Sequence, residues 1–178
     1  MRKLKNTELN RLDLESFKQA PKSPLVLVLD NLRSTYNVGS IFRTADAFRV
    51  QEIFLCGITA TPPHKDIRKT ALGATESVQW QYCENTLDAI QNLQSKGVVV
   101  LAVEQAEGST SLSDFNPLPG TTYALVFGHE VKGVSQKVVS AADAVLEIPQ
   151  EGTKHSLNVS VSVGLVVWEL FSSLIKRF

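Results

Sequence analysis

Three short stretches carry whatever chemistry this chain performs, and in each of them glycine or proline stands beside polar side chains. They are Asn37-x-Gly39-x-x-x-Arg43, Phe127-Gly128-x-Glu130-x-x-Gly133, and Ile148-Pro149 running on to Ser156-Leu157-Asn158-Val159-Ser160. An amide, a guanidinium, a carboxylate and a hydroxyl can orient a bound molecule and steady a charge that develops on it. They do not amount to a nucleophile with its base. No Gly-x-Ser-x-Gly or His-Glu-x-x-His occurs, and neither a dinucleotide fingerprint nor a phosphate loop follows the first apolar run. The chemistry must rest on positioning and charge.

Positioning requires a scaffold, and each stretch follows an apolar run. Leu25 to Leu29, Tyr123 to Phe127 and Ala144 to Ile148 read as buried strands, and the polar stretches are their exits. Ligands of parallel sheets bind at such carboxyl ends. Ile53 to Cys56, Val78 to Tyr82 and Val98 to Val103 are further strands. Helical periodicity starts at Val38, with Ile41, Phe42, Ala45 and Phe48 on one face, and returns over Thr86 to Leu93 and Ser135 to Ala141. Lys65 to Thr70 reads as a basic continuation of the loop at Thr59 to His64, and Glu104 to Gly120 as loop. Alternating strands and helices predict an α/β fold, a mostly parallel sheet flanked by helices. Leu157 to Leu165 alternates like a strand, yet Leu157, Val161, Leu165 and Trp168 also recur at helical spacing. Length decides for a final helix, with Lys176 and Arg177 complementing its dipole.

With 178 residues, 43% hydrophobic and 20% charged, the chain can bury a core without disulfides or metal. Cys56 and Cys83 are isolated, as in a reducing compartment, and no metal-ligand spacing occurs. The polar start and the lack of a membrane-length apolar run predict a cytoplasmic protein. Residues 1–24 read as an N-terminal arm closed by Pro21 and Pro24, and 25–178 as a single domain. The net charge is zero, but residues 1–69 hold 12 Lys+Arg against 7 Asp+Glu, leaving 6 against 11 for the rest. That asymmetry permits a basic face for phosphates.

In this order and at these strand ends, the three stretches resemble the motifs of the SpoU (TrmH-like) group of SPOUT RNA 2′-O-ribose methyltransferases. The resemblance covers about residues 25 to 175. It implies an α/β fold with a C-terminal deep trefoil knot, an obligate homodimer with its active site across the interface, and S-adenosyl-L-methionine as cofactor. By position in the motifs, Val103, Gly128, Ile148 and Leu157 would line the cofactor pocket. Arg43 would stand at the reacting 2′-hydroxyl, with Asn37, Glu130, Ser156 and Asn158 orienting Arg43, the RNA or the second subunit. Arg33, Lys65, Arg68 and Lys69 are the expected phosphate contacts, with Lys3 and Arg11 behind them. The expected substrate is a structured RNA, tRNA ahead of rRNA, because only a short arm precedes the catalytic body.

Taken singly, these residues have plainer readings. Asn37 and Gly39 could cap a helix and shape its turn, Ser156 could be an N-cap, and Asn158 a satisfied core amide. His129 stands where smaller residues are usual and reads as an exposed loop histidine, and His155 as a substrate contact or a solvated neighbour. Trp80, Trp168 and Phe171 read as core or dimer-interface side chains. Two other functions stay open: a non-catalytic RNA-binding protein that keeps the fold, and a base methyltransferase of a related knotted family.

Overall fold

The computed structural model describes residues 1–175. Lys176 and Arg177, expected to complement the last helix, lie outside the described residues. A 3₁₀ turn, Asn6–Glu8, and a short helix, α1 (Leu14–Gln19), precede the sheet. Phe17 is the buried residue of α1 and tethers it to the body, while Leu4, Leu9, Leu12 and Leu14 stay exposed.

The strands are β1 (Ser23–Asp30), β2 (Val50–Cys56), β3 (Trp80–Cys83), β4 (Val99–Val103), β5 (Thr110–Ser111), β6 (Tyr123–Gly128) and β7 (Ala144–Glu147). They form one sheet in the order β3-β2-β1-β6-β4-β7-β5, and every pairing is parallel. The helices are α2 (Thr35–Ala47), α3 (Lys65–Ala71), α4 (Ala74–Ser77), α5 (Thr86–Ser95), α6 (Gln136–Ala141) and α7 (Val159–Leu174).

Strand periodicity sorts β1 and β6 into two cores. Leu25, Leu27, Leu29, Leu125 and Phe127 pack on one face with α2, α3 and α7, through Phe42, Ile67 and Val163. Val26, Val28, Ala124 and Val126 pack on the other with α5 and α6, through Ile90 and Val138. Burial on both faces explains the unbroken apolar runs of the central strands.

Several elements differ from the sequence expectation: β1 starts at Ser23, so Pro24 lies in the strand and does not close the arm, β5 interrupts the expected loop from Glu104 to Gly120, and α4 stands where no element was expected. The first helix of the body begins at Thr35, because the Ser34 hydroxyl accepts from the Asn37 backbone N–H at 3.2 Å; Asn37 thus lies in the first turn of α2, not in a loop. Lys65 to Thr70 is helical, α3, capped by His64 Nδ1 accepting from the Asp66 N–H at 3.2 Å. Gly39 makes no turn. It lies mid-helix, and a Cβ there would collide with the Thr70 hydroxyl and the Ile67 carbonyl, so its absence sets how closely α2 and α3 approach. The final segment is the helix α7, as its length suggested where the spacing was ambiguous.

Candidate active site

The turn into α2 leaves backbone N–H groups unpaired, and the Glu130 carboxylate takes them. It accepts from Arg33 N at 3.0 Å, Ser34 N at 2.9 Å and the Asn37 side-chain amide at 3.0 Å. Partial burial alone would raise the Glu130 pKa. The backbone N–H groups of Arg33, Glu130 itself and Ser34, with the Asn37 amide, together outweigh it and hold the group below the ordinary carboxylate value. Asn37 turns its remaining oxygen to Asn158, whose Nδ2 donates at 3.2 Å. Asn158 is the N-cap of α7, accepting from Ser160 N at 2.9 Å and Ser160 Oγ at 2.6 Å. One amide therefore joins the three separated stretches.

The loop after β6 is closed on itself. His129 N donates to Gly133 O at 3.1 Å, Gly133 N returns to His129 O at 2.8 Å, and His129 Nδ1 accepts from Val131 N at 3.0 Å. His129 is thus a structural acceptor with its proton on Nε2. Glu104, at the exit of β4, clamps the loop from outside. Its carboxylate accepts from Val134 N at 2.8 Å and Gln105 N at 2.9 Å, and lies against Gly133, whose φ of 66° favours glycine. Below the loop the buried Asp30 accepts from Thr86 Oγ1 at 2.6 Å, Asn31 Nδ2 at 2.8 Å and Ser135 N at 3.0 Å. Sequence reading missed Glu104 and Asp30. Both stand immediately beyond or at the end of a strand, which is the signal that could have marked them.

Between these loops lies a cavity of about 560 Å³. Val103, Gly128, Ile148 and Leu157 all line it, together with Phe127 and Val159, and Glu130, Ser156 and Asn158 give it a polar end. Gln105 Nε2 donates to the His155 carbonyl at 3.0 Å and ties the loop after β4 to the one before α7. Ser156 is exposed and makes no hydrogen bond among the described residues, so its hydroxyl stays available to a ligand. Among the described residues no group of three or more His, Cys, Asp or Glu gathers as a metal site, and no helix is long and apolar enough to cross a membrane.

Arg43 is not in this cavity. Six residues beyond Asn37 on α2, it lies about 9 Å along the axis and lines a separate shallow cavity with Ser40, Lys69 and Thr70. Arg33, Lys65, Arg68 and Lys69 are exposed, Lys69 being paired with Asp66 at 3.0 Å. Of the three large aromatics, Phe171 is buried, Trp80 packs partly buried against the core, and Trp168 is 52% exposed. Trp168 continues a stripe with Val161 and Leu165 along the outer face of α7.

Known proteins resemble this chain in sequence and fold. The chain is 31% identical to the 23S rRNA (guanosine-2′-O-)-methyltransferase RlmB of Haemophilus ducreyi, an alignment covering 96% of this chain and 68% of that protein. An AdoMet-bound rRNA methyltransferase from Sinorhizobium meliloti superposes with a TM-score of 0.77 at 29% identity, over 84% of this chain and 56% of that one. A TrmH/SpoU tRNA modifying enzyme from A. aeolicus gives 0.77 at 25% identity, over 88% and 78%. The chain thus spans roughly half to three quarters of the length of these relatives. The model of the SpoU rRNA Methylase family matches residues 24–168, from the first strand through most of α7 and across all three motif loops, and the chain belongs to that family.

Proposed function

We propose that this chain transfers a methyl group from S-adenosylmethionine to a ribose 2′-hydroxyl of a structured RNA, working as a homodimer. The observation that carries the reading is the cavity between the loops after β4, β6 and β7, with the Glu130–Asn37–Asn158 chain at its polar end. Its residues fit the cofactor. About 560 Å³ suits a ligand of that size, branched apolar side chains at Val103, Ile148 and Leu157 can flank a base, and the closed loop at 128–133 offers backbone polar groups.

The bound cofactor supplies a methyl carbon electrophilic enough for a ribose oxygen. The chain's task is to orient that oxygen and manage its proton. A guanidinium is effectively always protonated and cannot accept it. Arg43 instead stabilises the developing alkoxide and grips a neighbouring phosphate, whose oxygen takes the proton. Arg43 does not line the cavity of its own chain, which supports a role at the cavity of a second copy. The exposed apolar stripe of Val161, Leu165 and Trp168 supports that pairing. The C-terminal trefoil knot belongs to the same proposal; its support is the return of the chain from β7, through the cavity loop, to α7 packed on α2 and β1.

The test is incubation with labelled cofactor and unmodified tRNA and rRNA in separate arms, with the mark located by nucleoside mass spectrometry. A ribose-methylated nucleoside supports the reading. A base-methylated one, or no label with intact RNA binding, sinks it. The tRNA expectation stands if the tRNA arm takes up more label, and the named relatives, one acting on 23S rRNA and one on tRNA, make both arms necessary.

A further inference from the structure

Tyr36 precedes Asn37 in the first turn of α2, and 49% of its surface is open to solvent. An aromatic side chain so exposed usually has its polar tip free as well, but this one is held at both ends. Its hydroxyl donates to Asp66 Oδ1 at 3.3 Å, and its carbonyl accepts from Thr70 Oγ1 at 3.0 Å. The Lys69 ammonium lies 5.9 Å from the ring centroid. Lys69 and Thr70 also line the shallow cavity that holds Arg43, and the next residue, Asn37, belongs to the Glu130–Asn37–Asn158 tie, so Tyr36 adjoins both.

From this placement we infer that Tyr36 is a stacking platform for one base of the RNA, beside the nucleotide whose ribose is methylated. A fixed aromatic face among cations accepts any base, because every base has a π-face and its phosphate sits within reach of the cations. Arg33 and Lys65 are exposed cations on the same stretch and on α3, and the two nearby carboxylates are both occupied, Asp66 by Lys69 and the Tyr36 hydroxyl and Glu130 by the Arg33 and Ser34 N–H groups and the Asn37 amide. A second copy of the chain fits this surface less well than it fits the wholly apolar stripe of Val161, Leu165 and Trp168. The inference rests on the RNA reading above, and its test does not need methyl transfer.

Fluorescence anisotropy of the full chain with a labelled single-stranded RNA decamer, and with an abasic decamer of equal length and charge, isolates the base contribution. Wild type is expected to bind the RNA roughly tenfold or more tighter than the abasic strand, the scale of one stacked base. Tyr36→Phe keeps that preference and Tyr36→Ala abolishes it, with thermal melts confirming that both fold. A preference unchanged in Tyr36→Ala overturns the inference, as does a wild type blind to base removal. Sedimentation of Tyr36→Ala as a monomer beside a dimeric wild type also overturns it, assigning the ring to the interface between copies. Methyl transfer on the same preparations separates the two claims. Transfer with an unaltered Tyr36→Ala preference sinks the platform alone, and a Tyr36-dependent preference without transfer sinks the enzymatic reading alone.

Discussion

The Asn37 amide nitrogen donates to Glu130 at 3.0 Å, although 93 residues separate the two in sequence. With its oxygen taken by Asn158, Asn37 cannot be replaced by any residue that lacks either a donor or an acceptor. Asn37→Ala should cost about 1–3 kcal/mol in urea unfolding, and Asn37→Asp more, since it sets a second carboxylate against Glu130. Cofactor affinity by calorimetry should fall in the same order. Equal losses for the two variants would mean that the carboxylate contact is not what matters.

Acid should loosen this tie before it unfolds the chain. The folded-state pKa of Glu130 is depressed, so its contribution to stability is fully present above the ordinary glutamate value and is lost as pH falls through the lower folded value. Thermal melts down a pH series should show a decline in that window that Glu130→Gln flattens. A decline of the same depth in the variant would point to other carboxylates.

Gly39→Ala should destabilise by about 1–3 kcal/mol through overpacking. The added carbon meets the Ile67 backbone carbonyl as well as the Thr70 side chain, and only the second can turn away. Pairing Gly39→Ala with Thr70→Ala in equilibrium unfolding should recover part of the loss and leave the carbonyl share. Full recovery would make the hydroxyl the whole obstacle.

Separate subunits should complement one another. Leu165→Glu on the outer face of α7 should yield monomers by sedimentation and abolish transfer. Mixing Arg43→Ala with Glu130→Ala protein, each inactive alone, should restore roughly a quarter of wild-type activity, because half of random dimers carry one intact composite site. No recovery after verified subunit exchange would place Arg43 and the cavity in the same chain's site.

How much of this was legible beforehand depended on range. β1, β6 and the parallel sheet follow from apolar runs such as Leu25 to Leu29, because burial on both faces leaves a local mark. The lining positions Val103, Gly128, Ile148 and Leu157 were legible through their places in the motifs, and they meet in one cavity. The place of Glu104 just beyond β4 was legible, but its partner was not, since nothing near position 104 announces that its carboxylate will meet the N–H of Val134. The helix α3 was hidden by Pro62 and Pro63 and by a charged sequence with only Ile67 and Ala71 buried. Gly39 looked like a turn because its reason for being glycine lies on another helix.

The tie among Asn37, Glu130 and Asn158 also has a kinetic meaning. During synthesis the first member leaves the ribosome more than a hundred residues before the last, so the sheet around β1 and β2 can consolidate while the ligand pocket does not yet exist. Closing so distant a contact is slow. Competence to bind should therefore trail collapse in refolding, and a nascent or truncated chain that has lost α7 would be ordered in its first half yet blind to its ligand.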